Sequence, residues 1–227
     1  FLGAHAVPSG IDRRDYLDLV TGPMLDAVRA HVQFIDVFCE RGAFDVDESR
    51  EVLLAGRAAG LGLKVHGNQL GESGGVALAV ELGATSVDHV NHLSATDIDA
   101  LAASSTVATI LPGADLSTRE RLAPARALVD AGVRVAIASN CNPGTSFTTS
   151  MQFCVMTAVL QHRLSIEEAV EAATVGGAAA LGREGGRLAV GDVADLQVLD
   201  APSLTHIAYR PGVPLTYAVW RRGHTAE

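Results

Sequence analysis

Val133-Arg134-Val135-Ala136-Ile137-Ala138-Ser139-Asn140-Cys141-Asn142-Pro143-Gly144-Thr145 is the stretch of sequence that decides the fold. Its first part is a short apolar run that predicts a buried strand. Its second part is a small, polar loop punctuated by proline and glycine. In α/β barrels, the loops that follow the strands hold the chemistry. The stretch therefore predicts a barrel strand with functional side chains directly after it.

Upstream of this stretch, strand and helix patterns alternate. The six predicted strands are Phe1–Ala4, Phe34–Cys39, Leu63–His66, Ser86–Val90, Val107–Leu111 and Val133–Ala138. The helical patterns between them are Asp15–His31, Asp47–Leu61, Gly75–Leu82, Ala95–Ala103 and Ser117–Ala131. Strict alternation predicts parallel strands joined by right-handed crossovers. A doubly wound sheet would satisfy the same pattern.

Polar side chains at the ends of different strands favour the barrel over the doubly wound sheet. They are His5, Glu40, His66, His89 and Asn140, and catalytic groups of a barrel converge in this way on one face. Six β/α units are two short of a closed TIM-like (β/α)8 barrel. The chain has no initiator methionine and opens with an apolar strand pattern. We therefore expect an incomplete barrel that begins inside a domain.

The character of the sequence changes after residue 148. Ser165-Ile166-Glu167-Glu168 is a capping box that predicts the start of an alanine-rich helix. Glycine-rich turns and short strand patterns follow, within Gly185–Asp200 and at Tyr217–Trp220. We predict a partial barrel over residues 1–182 and a C-terminal β-segment of an accessory β-sandwich over residues 183–227.

Composition excludes several classes of partner. The 227 residues are 48% hydrophobic and carry a net charge of −9 with 17 basic side chains, so a nucleic-acid interface is not expected. No apolar run reaches the roughly 18 residues of a membrane span. Three cysteines without a pairing motif indicate a reducing, cytoplasmic protein.

Two histidines carry the candidate chemistry. His66 ends a strand and is followed by Gly67, and its imidazole is a typical ligand of zinc or iron. A strand-end histidine can equally be a hydrogen-bonded structural residue. His89 ends the next strand and could serve as a general acid or base. Gln69 could hydrogen-bond a polar substrate or remain a solvated loop amide, and Glu40 is expected to pair with a cation such as Arg41 or Arg134.

In sequence order, these stretches resemble the imidazolonepropionases, the histidine-degradation branch of the amidohydrolase superfamily. The resemblance rests on Phe1-Leu2-Gly3-Ala4-His5-Ala6-Val7-Pro8, Asp36-Val37-Phe38-Cys39-Glu40, Lys64-Val65-His66-Gly67-Asn68-Gln69, Val87-Asp88-His89, Leu111-Pro112-Gly113 and Asn142-Pro143-Gly144-Thr145. Gly191-Asp192-Val193-Ala194-Asp195-Leu196 is similar to the closing β-segment of the superfamily.

The resemblance implies a reaction and a set of site residues. The reaction is metal-dependent hydrolysis of 4-imidazolone-5-propanoate to N-formimidoyl-L-glutamate, with one divalent ion, zinc or iron. His66 would ligate the metal and Asn140 would occupy the position of a metal-binding aspartate. His89 and Gln69 would assist catalysis. The small-molecule substrate would be held by His5, Gln69, Asn142, Gly144 and Thr145. Paired subunits are common for such folds, which makes a homodimer an expectation.

Asn140 departs from the family pattern, because an amide is a weaker ligand than a carboxylate and cannot act as a general base. The first barrel strand, with the family's His-x-His pair, is not in this sequence. We therefore expect these 227 residues alone not to turn over substrate. Another amidohydrolase or deaminase acting on a cyclic amide or amidine, and a non-catalytic relative of the same fold, remain alternatives.

Overall fold

A computed structural model describes residues 1–225 and contains a five-stranded parallel sheet followed by a three-stranded antiparallel sheet. The parallel strands lie side by side in chain order. They are Phe34–Cys39 (β1), Gly62–Gly67 (β2), Ser86–His89 (β3), Val107–Ile110 (β4) and Val135–Ile137 (β5). Chain order with a helical crossover between successive strands is the arrangement of a (β/α) barrel, so the predicted α/β class and incomplete barrel are confirmed.

The predicted first strand, Phe1–Ala4, is wrong as a regular strand. Only Ala4 forms a bridge, parallel to Val37, and the backbone N–H groups of Asp36 and Phe38 donate to the carbonyls of Phe1 and Ala4. The segment therefore lies against the free edge of β1. No other segment within residues 1–225 pairs with it.

The crossover helices begin where the sequence supplies capping side chains. Asp45 with Glu48, and Ser94 with Asp97, form reciprocal capping boxes that satisfy backbone donors at helix starts. The helices through β5 are Arg13–Leu19 (α1), Leu25–Val28 (α2), Val46–Ala58 (α3), Gly75–Glu81 (α4), Ala95–Ala102 (α5), Pro112–Thr118 (α6) and Ala125–Asp130 (α7).

Two predicted helices are interrupted. The pattern Asp15–His31 contains a π-helical turn, Val20–Met24, between α1 and α2, where Pro23 has no N–H to give to the helix. The pattern Ser117–Ala131 is wrong as one helix, because α6 ends at Thr118 and α7 begins only at Ala125. Pro124 disfavours a helical conformation in the residue before it.

Three further helices follow β5. They are Met151–Leu160 (α8), Ile166–Glu171 (α9) and Gly177–Ala180 (α10), with a π-helical turn at Ala172–Gly176. The capping box at Ser165 and Glu168 is confirmed. Lys64, on β2, donates to the carbonyl of Ala180 at 2.6 Å and to the Ser86 hydroxyl at 2.7 Å. This lysine therefore ties the end of α10 to β2 and β3.

The C-terminal residues form the predicted strands and turn. The elements are Leu196–Leu199 (β6), His206–Tyr209 (α11), Thr216–Arg221 (β7) and His224–Thr225 (β8), and the strands are antiparallel. Residues 226–227, the end of the predicted segment 183–227, lie outside the described part. The division of the chain at residue 182 stays a prediction. Among the described residues, no helix has the length and apolar character of a membrane crossing.

A buried polar cluster joins the segment after β3, helix α6 and the turn after α8. Asn91 donates to an Asp115 carboxylate oxygen at 2.7 Å, and the second Asp115 oxygen lies 3.9 Å from Nε2 of His162. His162 Nδ1 bonds the Ala123 carbonyl at 3.0 Å. Burial raises the pKa of Asp115 from 3.8 to about 6 and lowers the pKa of His162.

The raised pKa of Asp115 gives a pH-dependent contribution to stability. Since the folded-state pKa exceeds the unfolded value, the folded chain binds the extra proton between about pH 4 and pH 6, and this contribution is lost as the pH rises through that window. Replacing Asp115 with asparagine removes it. We expect the unfolding free energy of the natural chain minus that of D115N to fall by about 2 to 3 kcal/mol between about pH 4 and pH 6.5.

Urea unfolding at several pH values measures this difference. The matched control is Asp99→Asn, the same change on an exposed aspartate of α5. A flat difference for D115N would contradict the prediction.

Candidate active site

Four aromatic rings form a row along the carboxyl ends of the first strands. The exposed His5 ring stacks on Phe38, with centroids 5.2 Å apart. The Phe38 ring meets His66 edge-on at 6.2 Å, and His66 lies 5.3 Å from His89. The structure therefore brings together three histidines that the sequence separates widely, and it adds Phe38, which sequence reasoning did not select.

Backbone strain collects at the same strand ends. Asn68, His89, Val90 and Asn140 all have positive φ, at 55°, 83°, 51° and 49°. This left-handed region is unfavourable for residues other than glycine, most of all for a β-branched residue such as Val90. Strained residues cluster at active sites, where the surrounding structure holds them in place. These positive φ values mark the ends of β2, β3 and β5 as candidate functional positions.

His66 is hydrogen-bonded by one carboxylate and lies near a second, each on a neighbouring strand. Its Nδ1 lies 3.0 Å from Oδ1 of Asp36, and ligand atoms of Asp36, His66 and Asp88 lie within 4.8 Å of one another. Burial alone would lower the pKa of His66, but the charge and hydrogen bond of Asp36, with the charge of Asp88, outweigh it and raise the pKa to about 9. Because Nδ1 faces Asp36, Nε2 is the ring nitrogen left for another partner.

His89 is in the opposite electrostatic state. Burial, together with the nearby His66 charge, lowers the pKa of His89 to about 3, so its imidazole is neutral across the physiological range. Its Nδ1 is buried and has no hydrogen-bond partner within the described residues. A buried polar atom without a partner is costly, so a hydrogen bond or metal bond from a ligand to this nitrogen would be favourable.

The loop after β5 is preorganised by its own hydrogen bonds. Oδ1 of Asn142 accepts from the backbone N–H groups of Gly144 and Thr145, each at 2.8 Å. Nδ2 of Asn142 donates to the Thr145 hydroxyl at 2.9 Å and to the Asn140 carbonyl at 2.7 Å. Asn140 Nδ2 also reaches the Thr145 hydroxyl, at 3.3 Å. The four predicted residues of this loop therefore form one connected unit, and no hydrogen bond within residues 1–225 links it to the histidine row.

The loop after β2 is anchored by a buried carboxylate. Glu40 accepts from the backbone N–H of Gln69 at 2.6 Å and from that of Leu70 at 3.3 Å. The expected pairing of Glu40 with Arg41 or Arg134 is therefore wrong, because these backbone donors already satisfy the carboxylate. Anchored in this way, Gln69 is half-buried at the end of β2.

Sequence reasoning missed Asp36, Asp88 and Asn68 as parts of the site. Asn68 is buried and bridges the loops after β2 and β3 by donating to the His92 carbonyl at 2.8 Å. Asp36 lies in the middle of an apolar strand, and a carboxylate in that position was the available signal. His92 contacts Glu120 at 3.1 Å.

The donor set is compatible with a divalent metal ion. A neutral buried imidazole with an unpartnered nitrogen, and a second imidazole whose outer nitrogen is left open by Asp36, are the groups that zinc and iron prefer. Asn140 offers only an amide oxygen, which is a weaker ligand than a carboxylate. The histidines fit the ion, and Asn140 fits it less well.

The structure is a parallel (β/α) sheet with histidines at the carboxyl ends of its strands. This is the place where (β/α) barrel enzymes carry their active sites. The sequence pattern of the amidohydrolase family matches residues 40–225. The chain belongs to the amidohydrolase family.

Relatives with high sequence identity to this chain share the name imidazolonepropionase. The chain is 64% identical over 228 residues to the imidazolonepropionase of Saccharopolyspora erythraea, covering 98% of this chain and 59% of the relative. It is 62% identical over 246 residues to the imidazolonepropionase of Paenarthrobacter aurescens, covering 98% of this chain and 60% of the relative. The chain thus spans about three fifths of the length of the curated relatives it matches.

Solved structures share the fold at low sequence identity. An adenosine deaminase from Xanthomonas campestris with bound zinc matches with a TM-score of 0.74 at 21% identity, covering 98% of this chain and 59% of that protein. A mutant atrazine chlorohydrolase from Arthrobacter aurescens TC1, complexed with zinc and atraton, matches with a TM-score of 0.74 at 19% identity, covering 92% of this chain and 55% of that protein. These likenesses support the barrel fold.

Proposed function

We propose that the protein of which this chain is a part hydrolyses 4-imidazolone-5-propanoate to N-formimidoyl-L-glutamate in histidine degradation. The observation that carries the proposal is the identity of 56% to 64% with imidazolonepropionases across at least 98% of the chain. The row of aromatic rings that contains His66 and His89 supports the proposal, and so does the preorganised loop after β5. Both lie at strand ends, where a barrel binds its substrate.

The proposed cofactor is one divalent ion, zinc or iron. Such an ion, when bound, lowers the pKa of a coordinated water and polarises the reacting carbonyl. His66 would hold it through Nε2, with Asn140 as a second, weaker ligand. Further ligands would come from sequence outside this chain.

The remaining residues would bind the substrate and move the proton. Hydrolysis adds water across a ring C–N bond, so the carbonyl carbon gains the hydroxyl and the leaving nitrogen gains a proton. His89 is buried beside His66, and we assign it the transfer of the proton, since an imidazole can accept a proton and return it. Gln69 would assist from the edge of β2.

Four other residues would hold the substrate. His5 lies at the open end of the ring row. The loop after β5 presents polar groups of Asn142, Gly144 and Thr145 in a fixed geometry. A fixed loop lowers the entropy cost of orienting a small ring.

Asn140 favours one alternative, a non-catalytic relative that binds ligand without metal. Elemental analysis of the natural-length protein, combined with the decrease in substrate absorbance, decides between the two. About one zinc or iron per chain with turnover supports the hydrolase. No metal after incubation with zinc or iron, together with no turnover, would overturn it in favour of the non-catalytic relative.

The asparagine also yields a prediction of its own. In the natural-length protein, Asn140→Asp supplies a charged ligand, and we expect metal affinity to rise at least tenfold, or about 1.4 kcal/mol. Competition with a chromophoric chelator measures it. Gln161→Glu, on an exposed residue after α8, adds the same charge elsewhere and is expected to leave the affinity unchanged. Equal affinity for N140D and the natural protein would contradict a ligand role for position 140.

We also propose a cytoplasmic location and a homodimer. The free cysteines Cys39, Cys141 and Cys154 support the reducing compartment. Two-fold dimers are the commonest soluble oligomers. Sedimentation of the natural-length protein tests the dimer.

A further inference from the structure

Asp36 has one side-chain partner in the described structure. Its Oδ1 lies 3.0 Å from Nδ1 of His66, and the two side chains are only 13% and 17% exposed. In the sheet, Asp36 lies opposite Lys64, and Phe38 lies opposite His66. Side chains on one face of a strand repeat every second residue, so Asp36 is one layer deeper in the barrel than His66.

The other charged groups nearby are engaged elsewhere. Lys64, the residue opposite Asp36, donates to Ser86 and to the Ala180 carbonyl. Asp88 accepts from the Ser86 hydroxyl at 2.9 Å. Asp36 therefore hydrogen-bonds His66 and not Lys64, the cation on the adjacent strand.

The ring of His66 is also confined from two sides. Phe38 contacts it edge-on, with an interplanar angle of 81°, and His89 lies 5.3 Å away at 50°. Together with the hydrogen bond at Nδ1, these contacts fix the rotation of the imidazole. A carboxylate that accepts the Nδ1 proton also leaves the lone pair of the neutral ring on Nε2.

We propose that Asp36 is the positioning residue for His66. It accepts the Nδ1 proton from the deeper layer of the barrel and so presents Nε2 at the carboxyl edge of the sheet. The hydrogen bond and ring orientation stand on this structure alone. The consequence for metal binding rests on the proposed function.

A different arrangement is possible on the same residues. Ligand atoms of Asp36, His66 and Asp88 lie within 4.8 Å of one another, so the three could enclose an ion themselves. In the present geometry Nδ1 and Oδ1 bond each other, and Asp88 is bonded to Ser86. These existing bonds favour positioning over direct ligation by the carboxylates.

The test compares Asp36→Asn with Asp88→Asn, the same change on the neighbouring strand. The first readout is the ring Nδ1–H proton of His66 by NMR in metal-free protein. In D36N we expect this resonance to move upfield and its exchange with solvent to quicken roughly tenfold, because a charge-assisted hydrogen bond is replaced by a weaker neutral one. In D88N, which removes a nearby charge but keeps the hydrogen bond from His66 to Asp36, we expect a smaller shift and little change in the exchange rate.

The second readout is zinc affinity of the natural-length protein, measured by chelator competition. We expect zinc affinity to fall about 10- to 100-fold in D36N. In D88N we expect a change within roughly threefold, because the Asp88 carboxylate does not hydrogen-bond the His66 ring. Equal large losses in both variants would overturn the proposal in favour of a three-residue cage. An unchanged Nδ1–H resonance in D36N would overturn it as well.

The two readouts separate this proposal from the proposed function. If the natural-length protein binds no zinc, the proposed function fails, while the NMR comparison still decides the role of Asp36. If zinc binds but the Nδ1–H resonance of His66 is unchanged in D36N, only the positioning role of Asp36 fails.

Discussion

Replacing His66 with alanine is expected to reduce bound metal in the natural-length protein from about one ion per chain to a small fraction. Of the two metal ligands proposed in this chain, His66 is the stronger donor, since Asn140 supplies only an amide oxygen. Because a bound ion contributes several kcal/mol to hydrolysis, we expect turnover to fall by about 10³-fold or more. Elemental analysis and initial rates measure the two effects.

The matched control is His224→Ala, which removes an exposed imidazole from β8 and should leave metal content and rate unchanged. H66A also leaves Asp36 without its partner, so circular dichroism must establish that the variant is folded. A folded H66A protein with full metal content would contradict the assignment of His66 as a ligand.

Replacing Gly176 with alanine is expected to have the largest effect on stability. A Cβ at this position would overlap the carbonyl oxygen of Val135 and lie 3.1 Å from its carbonyl carbon. The obstacle is the backbone of a core strand, so no side-chain rotation relieves it. We expect a loss of at least about 3 kcal/mol in the free energy of unfolding, in the range of severe core overpacking.

The next residue supplies the control. A Cβ at Gly177 would come no closer than 4.0 Å to the Ala172 carbonyl oxygen, and alanine is the better helix former. We expect Gly177→Ala to stabilise the protein by about 0.5 to 1 kcal/mol. Urea unfolding of both variants measures the difference. Similar stabilities for G176A and G177A would show that the π-helical turn Ala172–Gly176 does not pack against β5 in this way.

The crossover pattern could be predicted because it depends on local periodicity. Apolar runs of strand length and capping residues such as Ser165 are readable one segment at a time, and the five central strands were predicted to within about two residues at each end. The helix break after Thr118 and the single bridge at Ala4 depend on what lies alongside each segment. Such neighbours are not visible in a linear pattern.

The candidate site divides in the same way. The sequence by itself determined which polar residues stand at the strand ends. It also determined that they meet, because parallel order carries every such end to one edge of the barrel. It also determined the departure at Asn140. Only the tertiary structure decided that Asp36 faces His66, that Glu40 anchors the Gln69 loop, and that His66 and His89 are in opposite protonation states. The reason is physical: burial and neighbouring charge set these properties, and both come from strands that are distant in sequence.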